Sequence, residues 1–169
     1  MLRKMLIVST GIILLVGCSP KIDQKKYENL HQAAKAIEEA TVVGVKYLQF
    51  GELLKNLSTE ISIANDKAKS DSEKKLLKAH LDVLMTYRES VTIWKYKIEA
   101  ARYDWIPPGQ IYVESELKPI IAKYSLPMES HIIPITGHEF QTISEDALQV
   151  IWGKAQERLE NATKLYLGQ

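Results

Sequence analysis

Apolar residues recur at steps of three and four from residue 23 to about residue 69. Ala33, Ile37, Ala40, Gly44, Tyr47, Gly51, Leu54, Leu57, Ile61, Ala64 and Ala68 share one stripe, and Lys, Glu, Gln and Asn fill the opposite face. That spacing is the period of an α-helix with one face turned to a core. No proline interrupts it, so the pattern predicts one helix of about 70 Å at roughly 1.5 Å per residue. Gly44 and Gly51 each weaken such a helix by up to about 1 kcal/mol relative to alanine. Seven apart on the core stripe, they suggest close packing more than a break; a kink at either is the alternative.

Ser70-Asp71-Ser72-Glu73 is the first clear punctuation. Ser70 with Glu73 three residues on matches a capping box, and acidic residues suit the positive end of a helix. A second helix is expected over 72–105, with Leu77, Leu81, Leu84, Val91, Trp94, Ile98, Ala101 and Trp105 on its stripe. So short a connection folds the two helices back as a long antiparallel hairpin, in which facing residues sum to about 141. Trp94 then falls opposite position 47, where Gly44 and Gly51 would form a notch for its ring.

Ile106-Pro107-Pro108-Gly109 ends the second helix, because two prolines and a glycine cannot continue it. Residues 113–124 read as a short helix with Pro119 in its first turn or bending it. Residues 126–141 hold Pro127, Pro134 and Gly137 and read as loop, with a brief extended piece at Ile132-Ile133. Thr142 and Glu145 offer a second capping box, after which a last helix runs to about Tyr166 and closes at Gly168. The expected fold is all-α: a long antiparallel helical hairpin plus a third helix, a three- to four-helix bundle, with a Pro-rich irregular excursion over 106–143.

The N-terminus follows a different pattern. Arg3 and Lys4 precede an apolar run from Met5 to Val16, and Leu15-Val16-Gly17-Cys18 follows. Basic start, apolar run and small-residue site together describe a secretory signal, and the run is shorter than the ~20 residues that span a bilayer. The tetrapeptide resembles the lipobox of bacterial lipoproteins. The resemblance covers residues 1–18 and implies that Cys18 is lipidated and becomes the first mature residue. Ser19 in place of Asp implies the periplasmic face of the outer membrane. Residues 1–17 are then a signal peptide, 18–22 a lipidated tether and 23–169 one helical domain. The tether reaches no more than roughly 20 Å at ~3.5 Å per residue. The third helix is expected along the membrane-proximal part of the hairpin.

Composition narrows the function. Of 22 basic and 21 acidic residues, two basic ones and no acidic one fall in the signal, so 20 and 21 are left. No basic excess points to nucleic acid. Cys18 is the only cysteine, which excludes an intramolecular disulfide, although an exported chain could carry one.

Chemistry is sparse. His131, His138 and Glu139 are candidate metal ligands, but their spacing matches no metal motif, and surface histidines are the plainer reading. No G-x-S-x-G, P-loop or G-x-G-x-x-G occurs, so neither an enzyme nor a cofactor is expected. Glu114 and Glu116 read as a solvated face. The lysines around residue 70 are offset by Asp66, Asp71 and Glu73. Tyr87, Trp94, Tyr103, Trp105 and Trp152 fall largely on helical stripes and read as core. The excursion is too apolar to be a solvated chain, and Ile132, Ile133, Ile135, His131 and His138 mark it as a candidate interaction surface.

These features lead to an anchored envelope lipoprotein acting as a non-enzymatic scaffold or protein-interaction module, its partner another envelope protein. The alternative is a small-ligand or metal-binding module with 106–143 as a lid. The first needs an exposed patch, the second a cavity with converging polar groups.

Overall fold

The computed structural model describes residues 22–133 and 136–169; Cys18, the signal segment and Ile135 lie outside the described residues. The chain is mostly helical, with α1 Glu28–Val43, α2 Tyr47–Lys67, α3 Asp71–Ala100, α4 Lys118–Tyr124 and α5 Ala147–Leu167. It also carries three strands, β1 Gln110–Tyr112, β2 Met128–Ile132 and β3 Glu139–Ser144. The strands correct the all-α expectation.

The single helix expected over 23–69 is the second correction. It breaks at Gly44, which takes φ +98°, a conformation that residues with a Cβ rarely adopt. Three β-branched or stiff residues, Thr41, Val42 and Val43, precede it and add little helix propensity. The chain reverses there. Tyr47 and Phe50 of α2 meet Trp94 of α3 at ring separations of 5.5 and 5.7 Å. Further along α2, Ser58 accepts a hydrogen bond from Arg88, which lies earlier on α3. These two helices therefore run antiparallel, and the pairing of positions 47 and 94 is the one expected. The notch is not. Gly51 is exposed, and a Cβ built on it would meet nothing within 4 Å; Trp94 packs on rings instead.

The break also inverts the layout. α1 runs parallel to α3, since Lys26 pairs with Glu73 and His31 meets His80 further on. α5 runs antiparallel to α3: Trp152 donates to Ser90 Oγ at 3.0 Å, and Arg158 bonds Thr86. Tyr166 near the end of α5 donates to the Gln24 carbonyl at 3.1 Å. Thus Ile22, the α2–α3 turn and the end of α5 share one end of the helices. The α1–α2 break, the end of α3 and the sheet share the other. The third helix, expected along the membrane-proximal part of the hairpin, does end where the chain enters, but it starts beside the sheet at the other end.

The α2–α3 turn is built as read. Ser70 Oγ accepts from the Glu73 amide, and the Glu73 carboxylate accepts from the Ser70 and Lys69 amides at 2.9 and 2.8 Å. The Lys26 ammonium and these amides hold the Glu73 carboxyl well below the usual carboxylate range. The apolar stripes meet in a core that includes Ile37, Phe50, Leu57, Leu76, Tyr87, Ile93 and Ile151, all fully buried. Burial of this kind contributes about 25 cal/mol per Å² and is the main force holding helices side by side.

The excursion is more ordered than expected. α3 stops at Ala100, five residues short of Trp105, and α4 is shorter than predicted but carries Pro119 in its first turn. The sheet has the order β1-β3-β2, with β3 antiparallel to both neighbours. β1 and β2 are therefore parallel, joined by α4 as a crossover, and β3 fills the gap between them. Ile111 and Met128 both pair with Ile143. Residues 126–141, expected as loop, form most of the β2–β3 hairpin. Its turn closes through the Gly137 amide on the Ile133 carbonyl at 2.8 Å, with Gly137 at φ +68°. The second capping box is not made. Thr142 is a buried residue of β3, and α5 begins after Asp146 with no side-chain cap.

Candidate binding cleft

Where α3 ends against the sheet, a cleft of about 390 Å³ opens. Tyr96, Glu99 and Ala100 line it from α3. Tyr103, Trp105 and Ile106 come from the connection that follows, Tyr112 from β1, Glu114 from the segment after it, and Ile133, His138 and Phe140 from the hairpin. The prolines at 107 and 108 turn the chain so that Trp105 and Tyr112 face each other across the connection, at 5.5 Å and 79°. β3 brings Phe140 to the Trp105 ring at 4.9 Å and 86°. Tyr103 completes the group at 5.7 Å from Trp105.

The sequence assigned Tyr103 and Trp105 to the core. Only part of that set is buried: Tyr87 is 0% and Trp152 9% exposed, whereas Tyr103 is 52% and Trp105 39% exposed. The apolar stripe of α3 extends past the last helical turn, so Trp105 continues the spacing of a helix that has already ended. Its rings line the cleft instead.

The polar groups of the cleft are the carboxylates of Glu99 and Glu114, the imidazole of His138 and the hydroxyls of Tyr96, Tyr103 and Tyr112. The Tyr96 hydroxyl donates to Glu116 Oε2 at 2.8 Å, and this bond pushes the phenol up to about 12. Lys95 lies 3.7 Å from the same carboxylate and 4.9 Å from the centre of the Tyr96 ring. Lys97 is drawn off to Glu145 at 2.9 Å. Glu99 and Glu114 make no ion pair within 4 Å among the described residues.

The candidate residues of the excursion separate. Ile133 and His138 line the cleft. His131 turns away, bonding Thr142 Oγ1 through Nε2 at 2.9 Å and lying 3.8 Å from Glu129. Ile132 is 66% exposed, and Ile135 is outside the described residues. His131, His138 and Glu139 are not brought together as a ligand set; among the described residues no three His, Cys, Asp or Glu side chains could hold a metal ion. Sequence reasoning missed Tyr96, Glu99, Tyr112 and Phe140; aromatic density between residues 96 and 112 was a signal for Tyr96 and Tyr112 alone.

A second surface stands at the same end. Val42, Val43 and Leu48 flank the Gly44 break at 75%, 83% and 81% exposure. Contiguous apolar patches of several hundred Å² mark interaction sites, and these three residues are candidates for part of one. No helix among the described residues is long and apolar enough to cross a membrane. Comparison with family models, curated proteins and solved structures finds no match to this chain.

Proposed function

We propose that this is an exported lipoprotein, anchored through Cys18 to the periplasmic face of the outer membrane. Its long helices form an up-down-up-down bundle that acts as a non-enzymatic scaffold and presents a binding end to another envelope protein. The observation that carries this reading is the separation of the two ends. Ile22, four residues after Cys18, enters at the end of the α2–α3 turn. The Val42, Val43 and Leu48 patch, level with Trp94, stands about 35 Å away and the cleft at the end of α3 about 45 Å away, at ~1.5 Å per residue along α3. A rigid spacer with contact surfaces at its far end and a tether at its near end is what an anchored interaction module needs. The ligand-binding reading also has support, in the aromatic cleft that the excursion closes against α3.

Replacing the anchor tests the first part. Cys18→Ser is expected to move the protein to the soluble fraction or leave its precursor uncleaved, as read by membrane fractionation and intact mass. A variant that is processed and still membrane-bound overturns the lipoprotein reading.

A further inference from the structure

The geometry points to a small organic ammonium compound as the ligand of the cleft between α3 and the sheet. The inference rests on the ligand-binding reading and adds the chemistry that the site selects. Three observations converge on it. The first is the rings. Trp105 meets Tyr112 and Phe140 edge to face, at 79° and 86°, while Tyr103 is tilted 45° to Trp105 and Tyr112 is tilted 41° to Phe140. The rings pack against one another at 4.9 to 6.0 Å and give the cleft a stepped wall rather than a flat one. Stacking of a sugar or a nucleobase uses a flat platform instead. The electron-rich faces of such walls attract a cation within about 6 Å of the ring centre.

The second observation is charge. Glu99 and Glu114 line the cleft, neither has an ion-pair partner among the described residues, and no lysine or arginine lines it among them. Beside the imidazole of His138, the lining offers an anionic ligand two carboxylates and a cationic one two partners. The third is the rim itself. Lys95 already places its ammonium near the Tyr96 ring and the Glu116 carboxylate. Inside the cleft, carboxylates and rings also share the lining, with no lysine or arginine among the lining residues that are described. A volume of about 390 Å³ suits a small molecule, since such sites run from about 300 to 1,000 Å³.

Choline is the probe, offered to the full-length protein in a nonionic detergent without choline groups. Saturation-transfer NMR on its N-methyl signal reports contact, and calorimetric titration reports affinity. Its neutral isostere 3,3-dimethylbutanol and methyl β-glucoside are the comparisons. Choline is expected to bind with Kd of roughly 1 mM or tighter, and both neutral compounds at least about tenfold more weakly. Trp105→Leu should weaken choline binding by about tenfold or more, and the double variant Glu99→Gln, Glu114→Gln by severalfold. If Trp105→Leu lowers the melting temperature, Tyr103→Leu replaces it, since that ring is more exposed. Equal binding of the neutral isostere, preference for the glucoside, or choline binding undisturbed by loss of a folded cleft ring each overturns the ammonium assignment. Absence of binding by all three probes overturns the ligand-binding reading itself.

Discussion

Trp152→Ala is expected to destabilise the protein by about 3–5 kcal/mol, the cost of deleting a large buried ring from a core that only partly collapses into the space. Trp152 joins three helices. Its ring lies 5.5 Å from Trp94 on α3 and 5.7 Å from Phe50 on α2, and its indole N–H donates to the buried Ser90 hydroxyl. Aromatic pairs of this kind contribute about 0.5–1.5 kcal/mol each beyond the area they bury. Ser90 keeps its own bond to the Tyr87 carbonyl at 2.7 Å, so the variant loses ring contacts more than hydrogen bonds. Trp152→Phe keeps much of the ring and should cost roughly 1–2 kcal/mol, mainly the lost donor. Urea unfolding followed by circular dichroism measures both. A loss below about 1 kcal/mol for alanine would show that α5 does not sit on α3 as described.

Acid should loosen the same core well before carboxylates titrate. His80 is fully buried on α3 and bonds the Leu76 carbonyl through Nδ1 at 3.0 Å, so Nδ1 carries the proton and Nε2 is the basic nitrogen. Nε2 has no partner among the described residues. Burial lowers the pKa of His80 to about 4. The unfolded chain takes up this proton first, near pH 6.5, so the contribution is complete above that value. It falls as pH drops and is fully lost below about 4. The loss amounts to roughly 3 kcal/mol across the window. His31 faces His80 at 6.1 Å and is stacked on Tyr166 at 4.3 Å. Burial, then Lys35, lowers its pKa also, which adds to the effect in the same direction. Stability measured by urea unfolding should therefore decline between pH 6.5 and 4.5, and His80→Leu should flatten most of that slope. A slope unchanged in the variant would place the titration elsewhere.

What could be read from the sequence was local. Ser70 and Glu73 mark a helix start whose hydrogen bonds involve only neighbours, so the motif carries its own geometry. Pro119 and Gly168 do the same, at a first turn and at a left-handed close with φ +74°. The facing of Tyr47 and Trp94 follows from the position of one short turn. The break at Gly44 was hidden because a reversing chain keeps its apolar residues at three- and four-residue steps on both sides. Periodicity records spacing and is blind to direction; Thr41-Val42-Val43-Gly44 was the better signal.

The sheet was hidden for a different reason. In β2, Glu129, Ser130 and Ile132 are exposed and His131 is half-buried, so no alternation marks the strand. Its backbone is satisfied by β3, which lies beyond the hairpin turn. Thr142 was misread because Thr-x-x-Glu fits a cap as well as a strand end. The cleft draws rings from residues 96 to 140, and only tertiary structure brings them together. Tyr103 and Trp105 were noticed as aromatic, but a helical stripe cannot say that the helix stops at Ala100.

The central claim, that the sheet-bearing end stands away from the membrane, rests on this inversion, and a distance measurement tests it most directly. A single cysteine for a fluorescent donor is introduced at Lys69, in the α2–α3 turn, or at Ile132, exposed on β2, in protein whose proposed lipidation at Cys18 has been checked by intact mass. The lipidated protein is placed in vesicles carrying a headgroup acceptor dye, and energy transfer is compared between the two sites. The account predicts strong transfer from position 69 and weak transfer from position 132, the two being separated by about the length of α3. Stronger transfer from position 132 would restore the continuous hairpin that the sequence alone suggested, and equal transfer would lay the helices flat on the membrane; either result contradicts the account.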